Sequence, residues 1–185
     1  MDKREEKTIQ AIYQAFSKLI NKYDYDDITI QNILDESHIS RSTFYAHYKT
    51  KDELLLSISN HIFEHVFSKS LQEEKTHDFS KDMILDYRHL ITHIFYHVKD
   101  EKELFIGILS NKVNALFLKE LRNHISIFVN SYYSNYPIIS DSLPIELKKS
   151  LAVEDYIVTL KYWIKNNFKE TPEEIADYYL KSAIK

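Results

Sequence analysis

Residues 28–55 read ITIQNILDESHISRSTFYAHYKTKDELL, and this stretch decides the fold. Thr29 stands at an N-cap position before a short run of apolar residues at helical spacing, which predicts a helix that ends near His38. Ser40 is a second cap candidate and opens a helix of about eight residues. Thr50 can cap a third helix. The stretch therefore predicts two short helices joined by a tight turn, with a longer helix after them.

The chain on either side of this stretch is helical by the same criteria. Residues 3–22 place apolar side chains at spacings of three and four, which is one face of an amphipathic helix. Glu53 completes a capping box with Thr50, and Thr171 with Pro172 gives the start signal of a last helix. Further helical patterns cover residues 80–98, 101–109, 111–134 and 147–168.

Glycine and proline are scarce, with one Gly and three Pro in 185 residues. A many-stranded sheet needs more tight turns than these residues can supply, whereas helices joined by polar loops need few of either. The composition, 44% hydrophobic and 28% charged, is typical of a globular protein. We therefore predict an all-α fold.

The sequence contains no cysteine, which excludes disulfides, thiolate metal sites and thiol nucleophiles. Its first ten residues, MDKREEKTIQ, carry charge and lack the apolar core of a secretory signal. No apolar run approaches the roughly 18 residues that a membrane span needs. We therefore expect a cytoplasmic protein with no membrane partner.

The charge distribution limits how the chain could bind nucleic acid. The formal net charge is −4, and residues 1–54 contain eight Lys or Arg and ten Asp or Glu, so any contact must come from a focused cluster. The helix after Ser40 offers one, because Arg41 can donate two hydrogen bonds to guanine, and Ser42 and Thr43 can bond base edges or phosphates. The side chains there that suit phosphates are Tyr45, His47 and Lys51.

Residues 28–55 resemble the helix-turn-helix of the TetR family of transcription regulators. That pattern has a Thr cap, an Ile in the second helix, then Val/Ile-Ser-x-x-Thr-Phe/Leu-Tyr-x-His-Phe/Tyr and Lys-x-x-Leu. The residues that match in register are Thr29, Ile33, Ile39, Ser40, Thr43, Phe44, Tyr45, His47, Tyr48, Lys51 and Leu54. The resemblance implies a DNA-binding domain in residues 1–50 and a larger helical domain for dimerisation and effector binding in residues 51–185. The residues predicted to contact double-stranded DNA are Thr29, Gln31, Ser40, Arg41, Ser42, Thr43, Tyr45, His47, Tyr48 and Lys51.

Two positions depart from the family pattern, which usually has glycine at both. Asp24 stands at the end of the first helix, and His38 stands inside the turn. Because the family has glycine there, we expect a positive φ at both positions. Asp and His are among the non-glycine residues that enter the left-handed region most readily, so the substitutions cost some stability but do not contradict the fold.

The rest of the chain resembles the family's variable C-terminal domain. Residues 156–176, YIVTLKYWIKNNFKETPEEIA, are similar to a signature of a subgroup common in Gram-positive bacteria. In the family, the last two long helices pair with those of a second subunit in a four-helix bundle, and both helices here carry more apolar surface than one small domain needs. The predicted interface residues are Tyr156, Leu160, Trp163, Ile164, Ile175, Tyr178 and Tyr179. Such a homodimer would read two half-sites of a palindromic operator about 34 Å apart.

The resemblance implies a sequence-specific regulator, and we expect a repressor that a small-molecule effector releases from its operator. Aromatic side chains offer apolar area and, in tyrosine, a hydroxyl, so they favour an effector pocket among residues 80–165. The candidate lining residues are Phe95, Phe105, Phe117, Tyr156 and Tyr162. The alternative is a C-terminal domain that docks a partner protein, as an activator or co-regulator, in place of a small ligand.

A metal-dependent enzyme is a third interpretation, and it depends on histidine patterns alone. Residues 61–65 spell H-x-x-E-H, an inverted metalloprotease motif, but helical periodicity turns both histidines away from the apolar stripe of their helix. His89, His93 and His97 recur every four residues, and we interpret them as surface histidines beside an apolar face. We therefore expect no enzyme activity, no cofactor and no metal site.

Overall fold

The computed structural model describes residues 3–67, 87–110, 114–135 and 143–183. These residues form α-helices and one 3-10 turn, Tyr25–Asp27, with no strand among them, so the predicted all-α class is confirmed. The helices are α1 (Lys3–Ile20), α2 (Ile30–Ser37), α3 (Arg41–His47), α4 (Lys51–Phe67), α5 (Tyr87–Asp100), α6 (Lys102–Ser110), α7 (Asn114–Asn135), α8 (Ile145–Lys165) and α9 (Pro172–Ala183). Within these ranges, no helix has both the length and the apolar character that crossing a membrane would require.

The helix boundaries agree with the predicted ones to within a few residues where both are described. α8 ends at Lys165, three residues earlier than predicted, because Asn167 and Phe168 leave the helical region with φ of 54° each. α8 also begins two residues earlier than predicted, after Pro144 as N-cap. The predicted helix starts at residues 80 and 111 lie outside the described residues.

The predicted caps of the fourth and ninth helices are present. The Thr50 hydroxyl accepts from the Glu53 amide at 3.0 Å, but the Glu53 carboxylate accepts from the Lys49 amide at 2.7 Å, one residue before the position that a capping box requires. At α9 the box is complete, because Thr171 and Glu174 each accept from the other's backbone amide, at 3.2 and 2.8 Å. These local bonds explain why each helix begins where it does.

The chain divides into two compact units. Unit 1 comprises Met1–His61 and Lys102–Phe117, and unit 2 comprises Ile62–Glu101 and Leu118–Lys185. By packing, α6 therefore belongs with the N-terminal helices although it lies far along the chain. The predicted division at residue 50 separates DNA binding from dimerisation and effector binding, not packing units, and it stays a prediction.

Unit 1 is organised around α1, which packs against α2 and α6. The buried face of α1 includes Ile12 and Phe16, both fully buried. α6 approaches α1 closely at Gly107, where a Cβ atom would lie 2.6 Å from Cγ2 of Ile20, which is too short for a real contact. Any larger residue at position 107 would therefore force the Ile20 side chain or the helices at this crossing to shift.

Unit 2 contains an aromatic core on α5, α8 and α9, in which α9 packs against both other helices. Phe95 stacks on Tyr156 with ring centres 5.0 Å apart, and the hydroxyls of Tyr87 and Tyr179 are hydrogen-bonded at 2.8 Å. The Trp163 indole donates to the Glu170 carbonyl at 3.0 Å in the α8–α9 turn. The Tyr156 hydroxyl is buried without a hydrogen-bond partner among the described residues, and burial raises the pKa of Tyr156 above its ordinary value.

Candidate nucleic-acid interface

The start of α2 is fixed by a reciprocal pair of hydrogen bonds. Thr29 is the N-cap, as predicted, and its hydroxyl accepts from the Asn32 backbone amide at 3.1 Å. The Asn32 side-chain oxygen in turn accepts from the Thr29 amide at 2.8 Å, which closes a capping box with Asn in the place of the usual Glu or Gln. These two hydrogen bonds fix the conformation of the first turn of α2.

The turn between α2 and α3 depends on one left-handed residue. His38 is the C-cap of α2 with φ 55° and ψ 35°, so the positive φ predicted there is confirmed. The corresponding prediction for Asp24 is wrong, because Asp24 has φ −61° and ψ 143°. The chain enters the 3-10 turn directly from an extended Asp24, so it needs no left-handed residue to leave α1.

The seven-residue helix α3 is capped and anchored at its two ends. The predicted N-cap, Ser40, accepts from the Thr43 amide at 3.2 Å through its hydroxyl. On the inner side Phe44 is fully buried, and its ring contacts that of Tyr48 with centres 5.8 Å apart. A helix of this length is marginal alone, so these tertiary contacts and the cap determine its position.

The outward side of α3 carries the polar groups. At about 100° per residue, Arg41, Ser42 and Tyr45 fall within one third of the helix circumference, an arc that does not include Phe44. All three are exposed, and Tyr45 retains 44% of its accessible surface. Of the other predicted contact residues, Thr29, Gln31 and Ser40 are exposed, whereas Thr43 and His47 are half-buried. The structure thus brings most of the predicted set to one surface made by α2 and α3.

Two predicted contact residues do not lie on that surface as expected. Tyr48 is only 5% exposed and packs in the core of unit 1, so we withdraw it from the DNA contacts. The Lys51 ammonium donates to the carbonyls of Tyr25, Ile28 and Asp26 at 2.6, 3.1 and 3.3 Å. Since an ammonium has three N–H groups, Lys51 fixes the chain before α2, and its predicted contact with a phosphate stays a prediction.

A short polar cluster supports that arrangement. The Lys51 ammonium lies 4.3 Å from the centre of the Tyr25 ring, a cation–π contact. The Tyr25 hydroxyl donates to Asp52, and burial together with this hydrogen bond raises the pKa of Tyr25. Tyr25 therefore ties the 3-10 turn to the first turn of α4, and through it sets where α2 begins.

Comparison with protein families finds matches in two separate parts of the chain. Residues 11–58 match the model described as bacterial regulatory proteins, tetR family. Residues 86–185, more than half of the chain, match a model of a transcriptional regulator C-terminal region. The chain belongs to the TetR family. This confirms the family that residues 28–55 resemble, and because the family consists of transcriptional regulators, the chain is not an enzyme.

Curated relatives of the chain are HTH-type transcriptional regulators. An uncharacterized HTH-type regulator of Bacillus subtilis, YxbF, is 46% identical over 56 residues, 30% of this chain and 15% of that protein. A second from the same organism, YuxN, is 27% identical over 110 residues, 60% of this chain and 36% of its own length. A third, from Haemophilus influenzae, is 27% identical over 102 residues, 55% of this chain and 51% of its own length. The chain thus spans about half or less of the curated relatives that it matches.

Two solved structures match over nearly the whole chain. A crystal structure of a TetR transcriptional regulator from Streptococcus agalactiae superposes with a TM-score of 0.74 at 28% identity, over 98% of this chain and 96% of that one. The dihydroxyacetone kinase operon activator DhaS superposes with a TM-score of 0.66 at 15% identity, over 96% of this chain and 94% of that one. The second likeness shows the fold alone.

The apolar residues predicted for the dimer interface are mostly internal. Five of the seven are fully buried within the single chain, namely Tyr156, Leu160, Trp163, Ile175 and Tyr179. A residue that is buried before association has no surface left to give to a partner, so their assignment to an interface is wrong. Ile164 is half-buried, and only Tyr178, 47% exposed, presents a large apolar surface.

Another apolar face of α8 is exposed instead. Leu147, Leu151, Val158 and Tyr162 are between 45% and 64% exposed, and their spacings of four, seven and four residues place them in one stripe along the helix. Tyr178 of α9 continues the stripe, because its ring centre lies 6.4 Å from that of Tyr162. We call these five residues the exposed stripe. Their spacing was visible in the sequence, but the stronger apolar pattern on the opposite side of α8 concealed it.

The residues predicted to line an effector pocket lie in three places. Phe105 and Phe117 contact each other in unit 1, with ring centres 5.4 Å apart. Phe95 and Tyr156 stack in the core of unit 2, and Tyr162 belongs to the exposed stripe. The structure therefore joins only two of the five in unit 2, and their role with a ligand stays a prediction.

The interpretation of His93 and His97 as surface residues is wrong. They are 2% and 7% exposed, and their Nε2 atoms are 3.0 Å apart, so one ring donates a hydrogen bond to the other. Residues 91–95 are buried without interruption, which covers more than a full turn, and so α5 has no solvent side at this level. Among the described residues, no group of three or more metal-ligand side chains is present. In the H-x-x-E-H sequence His61 is exposed, and the side chains of Glu64 and His65 lie outside the described residues.

Proposed function

We propose that this chain is a sequence-specific DNA-binding regulator that places the N-terminal half of α3 in the major groove. The observation that carries the proposal is the exposed polar surface of α2 and α3, held by the Thr29 box, the left-handed His38 and the Ser40 cap. Rigid presentation of a short helix is what reading of base edges requires. Membership in the TetR family supports the same function.

Within that surface, we assign base reading to Arg41 and register to its neighbours. Arg41 is exposed at the first position of α3, where its guanidinium can form two hydrogen bonds with the O6 and N7 atoms of guanine. Ser42 and Tyr45, exposed on the same side, can donate hydrogen bonds from their hydroxyls to bases or phosphates. The proposed contact set is Thr29, Gln31, Ser40, Arg41, Ser42, Thr43, Tyr45, His47 and Lys51.

Fluorescence anisotropy with the DNA upstream of the chain's own gene tests this function. Wild type should bind that fragment well above a scrambled fragment, with affinity that falls as salt rises. Arg41→Ala should weaken specific binding about tenfold or more, since a bidentate arginine–guanine contact discriminates by about 1–3 kcal/mol. Arg88→Ala removes the same charge from α5 in unit 2 and should bind as wild type does. Equal binding of both fragments by wild type would refute sequence-specific recognition.

We also propose that the regulator is a homodimer and that the exposed stripe of α8 and α9 is its interface. Five large apolar side chains on one side of α8 and α9 exceed the scattered exposure that is normal on a monomer. Between Leu151 and Val158, this side also carries the exposed Glu154. The stripe replaces the buried residues that the sequence pattern assigned to this interface. Two copies would then bring two α3 helices to the half-sites of a palindromic operator.

The sign of regulation and its control form the last part of the proposal. By resemblance to the family, the chain represses transcription, and a small-molecule effector that binds unit 2 releases it from the operator. A reporter under the chain's own upstream region should rise in activity when the gene is deleted. A fall in reporter activity would instead favour the alternative, an activator that docks a partner protein.

A further inference from the structure

Three side chains on the α2–α3 surface form a linear hydrogen-bond relay. The Arg41 Nη2 group donates to the side-chain oxygen of Gln31 at 2.8 Å. The side-chain nitrogen of Gln31 donates to the Asp35 carboxylate, also at 2.8 Å. Gln31 and Asp35 are one helical turn apart on α2, and Arg41 is the first residue of α3. The relay therefore crosses the turn between the two helices.

The chemistry of the two ends allows only one orientation of the middle group. A carboxylate can only accept hydrogen bonds, and a guanidinium can only donate them. The Gln31 amide has a donor end and an acceptor end of nearly equal shape, so by itself it could face either way. With Asp35 on one side, the nitrogen of the Gln31 amide must face the Asp35 carboxylate, and the oxygen of the amide must face Arg41.

The relay leaves most of the guanidinium available to a ligand. Gln31 accepts from one Nη2–H group, and an arginine has five N–H donors in a planar fork. All three side chains are exposed, and they line a cleft of about 490 Å³ between α2 and the start of α3. Asp35 weakens attraction to the DNA backbone, because its negative charge repels phosphates. Its place on this surface therefore needs a reason other than affinity.

We propose that Asp35 is a positioning residue that sets the base preference of Arg41 through Gln31. This inference rests on the proposed DNA-binding function and extends it to a residue that does not touch DNA. By fixing the orientation of the Gln31 amide, Asp35 holds the guanidinium in one direction before DNA arrives. An Arg41 that is already oriented discriminates its guanine more sharply than one that is free to reach neighbouring bases.

The test is a selection of binding sites from a random DNA pool, followed by competition binding with single base changes. Asp35→Asn keeps the shape of the side chain, but its amide can donate as well as accept, so the Gln31 amide is no longer fixed. We expect the preference at the base pair read by Arg41 to fall about two- to tenfold, the range of one hydrogen bond. Preferences at the other positions should not change.

Glu36→Gln is the matched control. Glu36 is the next residue on α2, so this variant removes the same charge from the same helix. In the wild type, the Glu36 carboxylate pairs with Lys18 at 3.0 Å and takes no part in the relay. Both variants should raise affinity for all sequences through weaker repulsion of phosphates. Only Asp35→Asn should change base preference.

A double-mutant cycle distinguishes positioning from a general effect on the domain. If Asp35 acts through Arg41, then Asp35→Asn should have no effect on base preference in an Arg41→Ala background. An additive effect would overturn the proposal, as would wild-type preference in Asp35→Asn or an equal loss in Glu36→Gln. A wild-type chain that enriches no sequence from the pool would overturn the proposed function together with this inference. If the wild type enriches a sequence and Asp35→Asn keeps the same base preference, only the inference about Asp35 is overturned.

Discussion

The α2–α3 region of unit 1 and the α8–α9 region of unit 2 differ in how far local sequence signals describe them. In the first region, the caps at Thr29 and Ser40 and the left-handed His38 are all present as predicted. In the second, the cap at Thr171 is also present, but five of the seven residues assigned to an interface form the core. The start of a helix follows from its own residues, whereas its buried side depends on what packs against it.

The cause lies in the circumference of α8. Apolar side chains occur on two roughly opposite sides of this helix, at about 100° of rotation per residue. One side holds Tyr156, Leu160 and Trp163, which are buried, and the other holds Leu151 and Val158, which are 46% and 64% exposed. A pattern with two apolar sides does not say which one faces the core of its own chain.

The largest expected effect separates these two sides of α8 by stability. Leu160→Ala removes a fully buried side chain and should lower the free energy of unfolding by about 2–5 kcal/mol. Lys161→Ala, at the exposed neighbouring position, should change it by about 0.5 kcal/mol or less. Urea denaturation followed by circular dichroism measures both at one protein concentration. Similar values for the two variants would show that Leu160 is not core.

The next effect concerns association through the exposed stripe. Val158→Glu places a charge in the middle of the proposed interface, so we expect the dimer to weaken at least about tenfold while each chain stays folded. Sedimentation equilibrium measures the dissociation constant, and Gln10→Glu makes the same change of charge on an exposed position of α1. A Val158→Glu protein that dimerises as tightly as Gln10→Glu does would place the interface elsewhere.

Two turn positions provide a smaller and more local test. His38→Gly should leave thermal stability unchanged or raise it by up to about 1 kcal/mol, because glycine adopts a φ of 55° without strain. Asp24→Gly should lower stability by about 0.5–1 kcal/mol, since φ is −61° there and glycine only adds freedom to the unfolded chain. A marked fall in the melting temperature of His38→Gly would contradict the turn assignment.

Effects of similar size are expected for two buried tyrosine hydroxyls of unit 2. Tyr156→Phe removes a hydroxyl that has no partner among the described residues, so stability should stay the same or rise by about 1 kcal/mol. Tyr179→Phe removes a hydroxyl bonded to that of Tyr87 at 2.8 Å, and should lower stability by about 0.5–1.5 kcal/mol. Denaturation curves of both variants give the sign of each change in stability. A loss of stability in Tyr156→Phe would point to a partner for the Tyr156 hydroxyl.

The sequence by itself determined the features that connect residues one to four positions apart. The all-α class, the order of the helices, the caps at Thr29, Ser40 and Thr171 and the left-handed turn at His38 belong to this group. Cap hydrogen bonds and φ preferences act within one turn of chain, so the residues that form them are neighbours in the sequence. The family followed from the same local pattern in residues 28–55.

Only the tertiary structure decided the features that join distant residues. It buried His93 and His97, placed the Lys51 ammonium on carbonyls more than twenty positions away, and brought Asp35 into line with Arg41 through Gln31. It also selected which apolar side of α8 forms the core. The physical reason is that a side chain is buried only when another helix packs against it. The sequence of a single helix with apolar residues on two sides does not say which side a neighbouring helix will cover.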